Sequence, residues 1–191
     1  KTGIDIPVEA SGFLPDPDWK QKRFGERWYI GDDYNASIGQ GFVTATPLQV
    51  LNSIATISNG GILREPRLVS DTRDISGKLS PIESPIVRKD FIDASILKIV
   101  REGMRETVVE GTAQLLKELP VAVAGKTGTC QFGTGKDTHG WFVSFAPFER
   151  PEIALIVLVE GQGEEGYNAV PVTKEVYQWY FDHQGSQKES Q

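Results

Sequence analysis

Lys126, Thr127, Gly128 and Thr129 follow one another in "VAVAGKTGTCQFGTGKDTHGWFVSFAP", where small apolar residues give way to polar ones. Alternation along a strand puts Thr127 and Thr129 on one side, so two hydroxyls can meet a carboxylate together. Gly128 lacks a side chain, which lets an extended peptide approach the strand backbone. Lys126 sets a fixed positive charge beside any oxyanion that develops there. A second such triplet, Lys1-Thr2-Gly3, precedes an early proline in "GIDIP" and has no strand partner in view, so it reads as a loop.

Other readings of the same residues fail on spacing. "GKT" at Gly125 suggests a phosphate-binding loop, but that motif needs a glycine five residues earlier, where Pro120 stands. Gly133, Gly135 and Gly140 lack the dinucleotide spacing and read as hairpin-turn glycines. The single cysteine, Cys130, excludes an internal disulfide and any Cys-x-x-Cys metal site. His139 and His183 are too far apart to share a helix face, so neither a metal nor another cofactor is implied. With 26 acidic against 20 basic residues and a net charge of −6, the chain does not look like a nucleic-acid binder.

The elements that must carry the motif can be read from periodicity. Residues 1 to about 45 are rich in Gly, Pro, Asp and aromatics, which predicts an irregular but packed segment. "TATPLQVLNSIATISNGG" predicts a helix with Thr46 as its cap, Pro47 in first place, a stripe of Leu48, Leu51 and Ile54, and Gly60-Gly61 as the stop. A long excursion follows from Ile62 to Arg88, with a hairpin near Ser76-Gly77. Ile92, Ile96, Ile99 and Val100 predict a second helix over 89–109, and a shorter one over 112–119 ends at Pro120.

After Pro120 the period changes. "VAVAGKTGTCQ", "GWFVSFAP" and "EIALIVLVEG" are strand-like runs too close together for crossover helices, so they predict an antiparallel meander. "NAVPVTKEVYQWYF" restores helical spacing. The expectation is an α+β fold, an antiparallel sheet flanked by helices, as one domain over 1–183 with a disordered polar tail over 184–191. The longest apolar run, Ile153 to Val159, is too short to span a bilayer, and the N-terminus does not resemble a signal peptide. Any membrane anchor is therefore expected outside this chain.

In order along the chain stand "WKQKRF", "GDDYNASIGQG", "TPLQ" followed by "NGG", "VREGM" followed by "GTA", "GKTGT" and "HGWFVSFAP". This series resembles the C-terminal half of the transpeptidase domain of class B penicillin-binding proteins, and its first two strings resemble the elongation-type branch. The resemblance implies a penicillin-binding, serine β-lactamase-like fold and a D,D-transpeptidase that cross-links peptidoglycan stem peptides through an acyl-serine, with β-lactams acylating the same serine. It assigns Lys126 to the electrostatics of the site, Thr127 and Thr129 to substrate carboxylate binding beside Gly128, and the backbone N–H of Thr129 to half of an oxyanion hole. It further implies the periplasmic face of the inner membrane as location, and a membrane glycosyltransferase as partner.

One departure is decisive. The chain has no S-x-N, and its only S-x-x-K runs from Ser95 to Lys98 inside an expected helix that matches "VREGM" rather than the family's serine helix. Ser95 is accordingly read as a chance match. The serine, its lysine, the S-x-N element and the first strands are expected upstream, in the other half of the same domain, leaving this chain inactive alone. His139 is read as turn or supporting structure, Cys130 as a small buried residue, and "GDDYNASIGQG" as a loop bracing the site, with no catalytic role for Asp32 or Asp33. Two rivals stand beside this reading: a non-catalytic β-lactam sensor or scaffold of the same fold, and a serine β-lactamase or D,D-carboxypeptidase. "WKQKRF" and "SIGQG" argue against both.

Overall fold

A computed structural model of the chain describes residues 1–131, 138–161 and 169–188, with side chains described as far as His183. Its elements are helices α1 (Pro17–Phe24), α2 (Ile30–Ser37) and α3 (Pro47–Ser58), short strands β1 (Leu63–Arg64), β2 (Asp71–Arg73), β3 (Leu79–Pro81) and β4 (Ile86–Arg88), helix α4 (Ala94–Val109), strands β5 (Ala124–Gln131), β6 (Thr138–Ala146) and β7 (Ile153–Val159), and helix α5 (Ala169–Lys188). A 3-10 turn, Gln114–Glu118, precedes β5. The described residues form two compact units: Lys1–Gln49 with Pro66–Ile82, and Val50–Glu65 with Glu83–Gln191.

The first unit is more regular than its composition suggests. Asp16 caps α1 by accepting from Trp19 N at 2.8 Å, and Pro17 fills the first helical position, where a missing N–H costs nothing. Trp19 packs against Phe13, Phe24 and Phe42 with ring centroids 4.8, 5.4 and 5.0 Å away, which accounts for the aromatic density of this stretch. Lys20 is buried, 6% exposed, and its ammonium meets Asp32 of α2 at 2.7 Å above the Tyr29 ring. That hydrogen bond from Lys20, with a second from Tyr29 N, holds the Asp32 carboxyl below its usual range. The stretch expected to be a loop, "GDDYNAS", is thus a helix, and Lys20 ties it to "WKQKRF". Asp33 accepts from Trp28 Nε1.

The hairpin expected near Ser76-Gly77 is present: β2 pairs with β3 in antiparallel register, and Asp74 gathers the N–H groups of Ser76 and Lys78 across the turn. Asp5 accepts from Leu68 and Val69 N, fastening the hairpin's base to the N-terminal segment. Thr46 caps α3 as expected: its hydroxyl accepts from Gln49 N at 3.2 Å while Gln49 Oε1 accepts from Thr46 N at 2.9 Å.

In the second unit β5, β6 and β7 form the expected antiparallel meander, in that order. One face carries Phe142, Ala146, Ile153, Leu155 and Val157 against Val108, Leu116, Leu119, Val170 and Tyr177. The other carries Ala124, Val143, Phe145, Ala154 and Ile156 against Val50, Ile54, Ile57 and Met104. Burial of each Phe is worth about 1.5–3 kcal/mol. Between strand and helix, the Ser144 and Tyr177 hydroxyls lie 2.9 Å apart with no exposed surface, and burial raises the Tyr177 phenol pKa.

Three expectations shift. The α3 residues packed on the sheet are Val50, Ile54 and Ile57, so only Ile54 of the expected stripe belongs to the core. In α4 the buried positions are Leu97, Met104 and Val108, whereas Ile96 and Ile99 are exposed. The reason is that Arg101 and Arg105 occupy the inner face, donating to Ser58 O and Phe148 O, and to Val123 O. Helix α5 continues to Lys188, inside the segment expected to be a tail; Gln and Lys are good helix formers. Residues 189–191 lie outside the described residues.

Candidate active site

Strand β5 is the border strand of its sheet: it pairs along its whole length with β6, and its other edge has no strand partner among the described residues. Its start is held from three sides. Arg105 donates to Val123 O at 2.7 Å, Phe148 N donates to Ala122 O at 2.7 Å, and Ala124 is fully buried. Past that anchor the strand emerges from the core, so Lys126 and Thr129 are exposed while Thr127 and Gly128 are half-buried.

Register divides the motif between the two faces. Thr127 lies opposite Phe142 and Thr129 opposite Gly140, whereas Lys126, Gly128 and Cys130 lie opposite Val143, Trp141 and His139. Thr127 and Thr129 therefore share a side, as strand alternation requires. The Lys126 ammonium donates to Thr127 O at 2.8 Å, keeping the cation against the strand. Thr127 Oγ1 lies 2.9 Å from Thr112 Oγ1, at the end of α4.

Two glycines of the strand have different reasons to be glycine. A β-carbon on Gly125 would meet Phe142 Cζ at 2.5 Å and Val143 O at 2.7 Å, so packing within the chain forbids a side chain there. A β-carbon on Gly128 would meet only Trp141 Cβ at 3.5 Å, an ordinary contact. Among the described residues, nothing in the packing calls for glycine at 128. A bare backbone at that position leaves room for a chain laid along it from outside.

The remaining candidates resolve into structural roles. Ser95 is not mid-helix, as expected, but in the first turn of α4, where its N–H and hydroxyl both donate to Asp93, at 2.7 and 2.5 Å. Those bonds, led by the one from the Ser95 hydroxyl, hold the Asp93 carboxyl below its usual range. Lys98 pairs with Glu102. Ser95 is thus part of a helix cap. His139 Nδ1 accepts from Gly161 N at 3.3 Å, a supporting contact at the end of the meander. Cys130 is half-exposed, with Sγ directed to Gln131 O. Gly133 and Gly135 lie outside the described residues. A hollow of about 540 Å³ lined by Leu115, Lys174, Trp179 and His183 contains none of the four motif residues.

Sequence reasoning missed Arg101, Arg105 and Thr112. The two arginines fall at helical spacing with Leu97, Met104 and Val108, a pattern visible once arginine is allowed on an inner face. Thr112 belongs to the quoted "GTA", but no local period links it to a strand that follows.

Residues 1–178 match the family described as "Penicillin binding protein transpeptidase domain". The chain belongs to the penicillin-binding protein transpeptidase domains, which bears out the resemblance carried by its motifs. Among named relatives, peptidoglycan D,D-transpeptidase MrdA of Haemophilus influenzae is 31% identical over 98% of this chain and 32% of its own length. A solved penicillin-binding protein, PBP2, from Helicobacter pylori matches with a TM-score of 0.79 at 32% identity, over 96% of this chain and 33% of that one; its complex with MreC matches at 0.73. Penicillin-binding protein A from Mycobacterium tuberculosis, solved as an imipenem acyl-enzyme complex, matches at 0.73 and 28% identity over 94% of this chain and 40% of that one. The chain spans about a third of the length of the relatives it matches most fully.

Proposed function

We propose that this chain supplies one wall of the active-site groove of an elongation-type peptidoglycan D,D-transpeptidase, whose nucleophilic serine lies in residues upstream of Lys1. In this reading the terminal D-Ala-D-Ala of a stem peptide lies antiparallel to β5, with its backbone over Gly128. The hydroxyls of Thr127 and Thr129 donate to its carboxylate. The serine oxygen attacks the penultimate D-Ala carbonyl, the oxyanion accepts from Thr129 N–H and the serine's own N–H, and the Lys126 charge stabilises it. Collapse breaks the D-Ala–D-Ala amide bond, releases D-Ala carrying the proton that the serine gave up, and leaves an acyl-serine; an amine of a neighbouring stem peptide then attacks this ester, takes the acyl group and returns a proton to the freed serine. β-Lactams enter the same groove and stop at the acyl stage.

The observation that carries the reading is the border strand: hydroxyls, a cation and a glycine that internal packing does not require, all on one accessible stretch of β5. The imipenem acyl-enzyme of the mycobacterial relative supports the acylation chemistry. No described helix is long and apolar enough to cross a membrane. An anchor outside this chain would hold the enzyme on the periplasmic face of the inner membrane, beside a glycosyltransferase that makes the strands it cross-links.

The test is covalent labelling with a fluorescent penicillin. The isolated 191-residue chain is expected to remain unlabelled, and the full-length gene product to be labelled at an upstream serine. Labelling of the isolated chain at Ser95 would overturn the assignment.

A further inference from the structure

We propose that Thr112 is a positioning residue for Thr127, aiming the Thr127 hydroxyl at the substrate carboxylate through the hydrogen bond between them. This inference rests on the reading of β5 as the carboxylate-binding wall and adds a residue outside the four-residue motif.

A threonine hydroxyl has one proton and two lone pairs. If Thr127 gives its proton to an incoming carboxylate, its oxygen is left to accept, and the Thr112 hydroxyl is the group 2.9 Å away that can donate to it. The two bonds then run in one direction, Thr112 to Thr127 to carboxylate, and each polarises the next. Before ligand arrives the pair can be oriented either way, so binding selects the direction without moving a heavy atom.

Thr112 is well placed to set this geometry because the chain on either side of it is fixed. Gly111 N donates to Glu106 O and Ala113 N donates to Thr107 O, closing the end of α4. A β-carbon on Gly111 would lie 2.9 Å from the Thr107 backbone, so the turn is as tight as it can be. Ala113 is fully buried in the core beneath the sheet. Thr112 itself is exposed, held between a tight turn and a buried anchor, and contributes a side chain to the strand 15 residues later. The end of α4 thereby fixes the side-chain rotamer of Thr127.

The experiment is a double-mutant cycle in the full-length protein, reading the second-order rate of acylation by benzylpenicillin. Thr112→Val should slow acylation about three- to tenfold, in binding rather than in the bond-forming step, with the melting temperature retained; Thr112→Ser should restore the parent rate. In a Thr127→Val background Thr112→Val should have no further effect. The effect should also vanish with the penicillin methyl ester, which has no anion to receive the proton. If Thr112→Val lowers stability, Thr112→Ala is put through the same cycle. Multiplicative, independent effects of the two positions would overturn the pairing while leaving the site reading intact. A parent protein that no penicillin acylates would instead sink the site reading, and this inference with it.

Discussion

The chain uses Lys-Thr-Gly twice, in two different backbone shapes. At the N-terminus Thr2 N and Thr2 Oγ1 donate to Glu9 Oε1 at 2.6 and 2.7 Å, and Gly3 N, on a residue with φ of 83°, donates to Glu9 Oε2 at 3.2 Å. The first triplet curls around a carboxylate supplied by its own chain. The second is held straight by eight paired positions with β6, so its backbone cannot curl around a neighbouring carboxylate as the first does. Both copies carry the chemistry for holding an anion. What differs is backbone shape: one copy closes on a carboxylate of its own chain, and the other is kept extended along β6.

The largest effect expected from this contrast concerns the cations. Lys126→Ala in the full-length protein should lower the rate of acylation by fluorescent penicillin about 10²- to 10³-fold, the scale of losing one electrostatic contact to an oxyanion, whereas Lys1→Ala should leave it unchanged. A large effect at Lys1 would break the comparison.

Smaller, and more discriminating, is the pair of strand glycines. Gly125→Ala drives a methyl into Phe142 and the Val143 carbonyl and should cost about 1–3 kcal/mol in denaturant unfolding. Gly128→Ala should cost under about 1 kcal/mol, within the range of a tolerated surface change, yet slow acylation about tenfold or more by crowding the ligand's backbone. Equal losses of stability at both positions would show that Gly128 serves packing after all.

The smallest effect lies in the first triplet. Hydrogen bonds led by Thr2 N–H hold the Glu9 carboxyl below its ordinary value of 4.5. A lowered folded-state value means that this contact stabilises the fold above pH 4.5 and is lost as pH falls through the folded value. Thr2→Val, which removes the hydroxyl bond and keeps the backbone one, should raise the Glu9 titration part of the way back, as read by carboxyl NMR. No change would mean that the loop does not hold Glu9 in solution.

How much of this was legible beforehand depends on the range of the interactions. The meander was readable because alternation and short spacing are local, and α3 because Thr46, Pro47 and the Gly60-Gly61 pair act within a turn of the helix ends. The inner face of α4 was not, since Arg101 and Arg105 reach carbonyls that are distant in sequence and displace the apolar stripe that periodicity picks out. Helices α1 and α2 are short and depend on Lys20–Asp32, a contact between segments no helical period relates. The division into two units rests on contacts such as Asp5 with Leu68, 63 residues apart. The four motif residues were legible as a set because strand geometry alone aligns them. Thr112 was not, because only the folded chain brings the end of α4 to β5.

Among the described residues the sheet also has a second border. Strand β7 reads Ile-Ala-Leu-Ile-Val-Leu-Val, with every residue half-buried and no charge, proline or glycine along it. Where β5 presents a wet bank, β7 presents a dry one, and hydrocarbon beside open amides is a template that adds another ribbon. The two banks give the sheet a direction: polar groups line one, and the other is suited to adding a further ribbon.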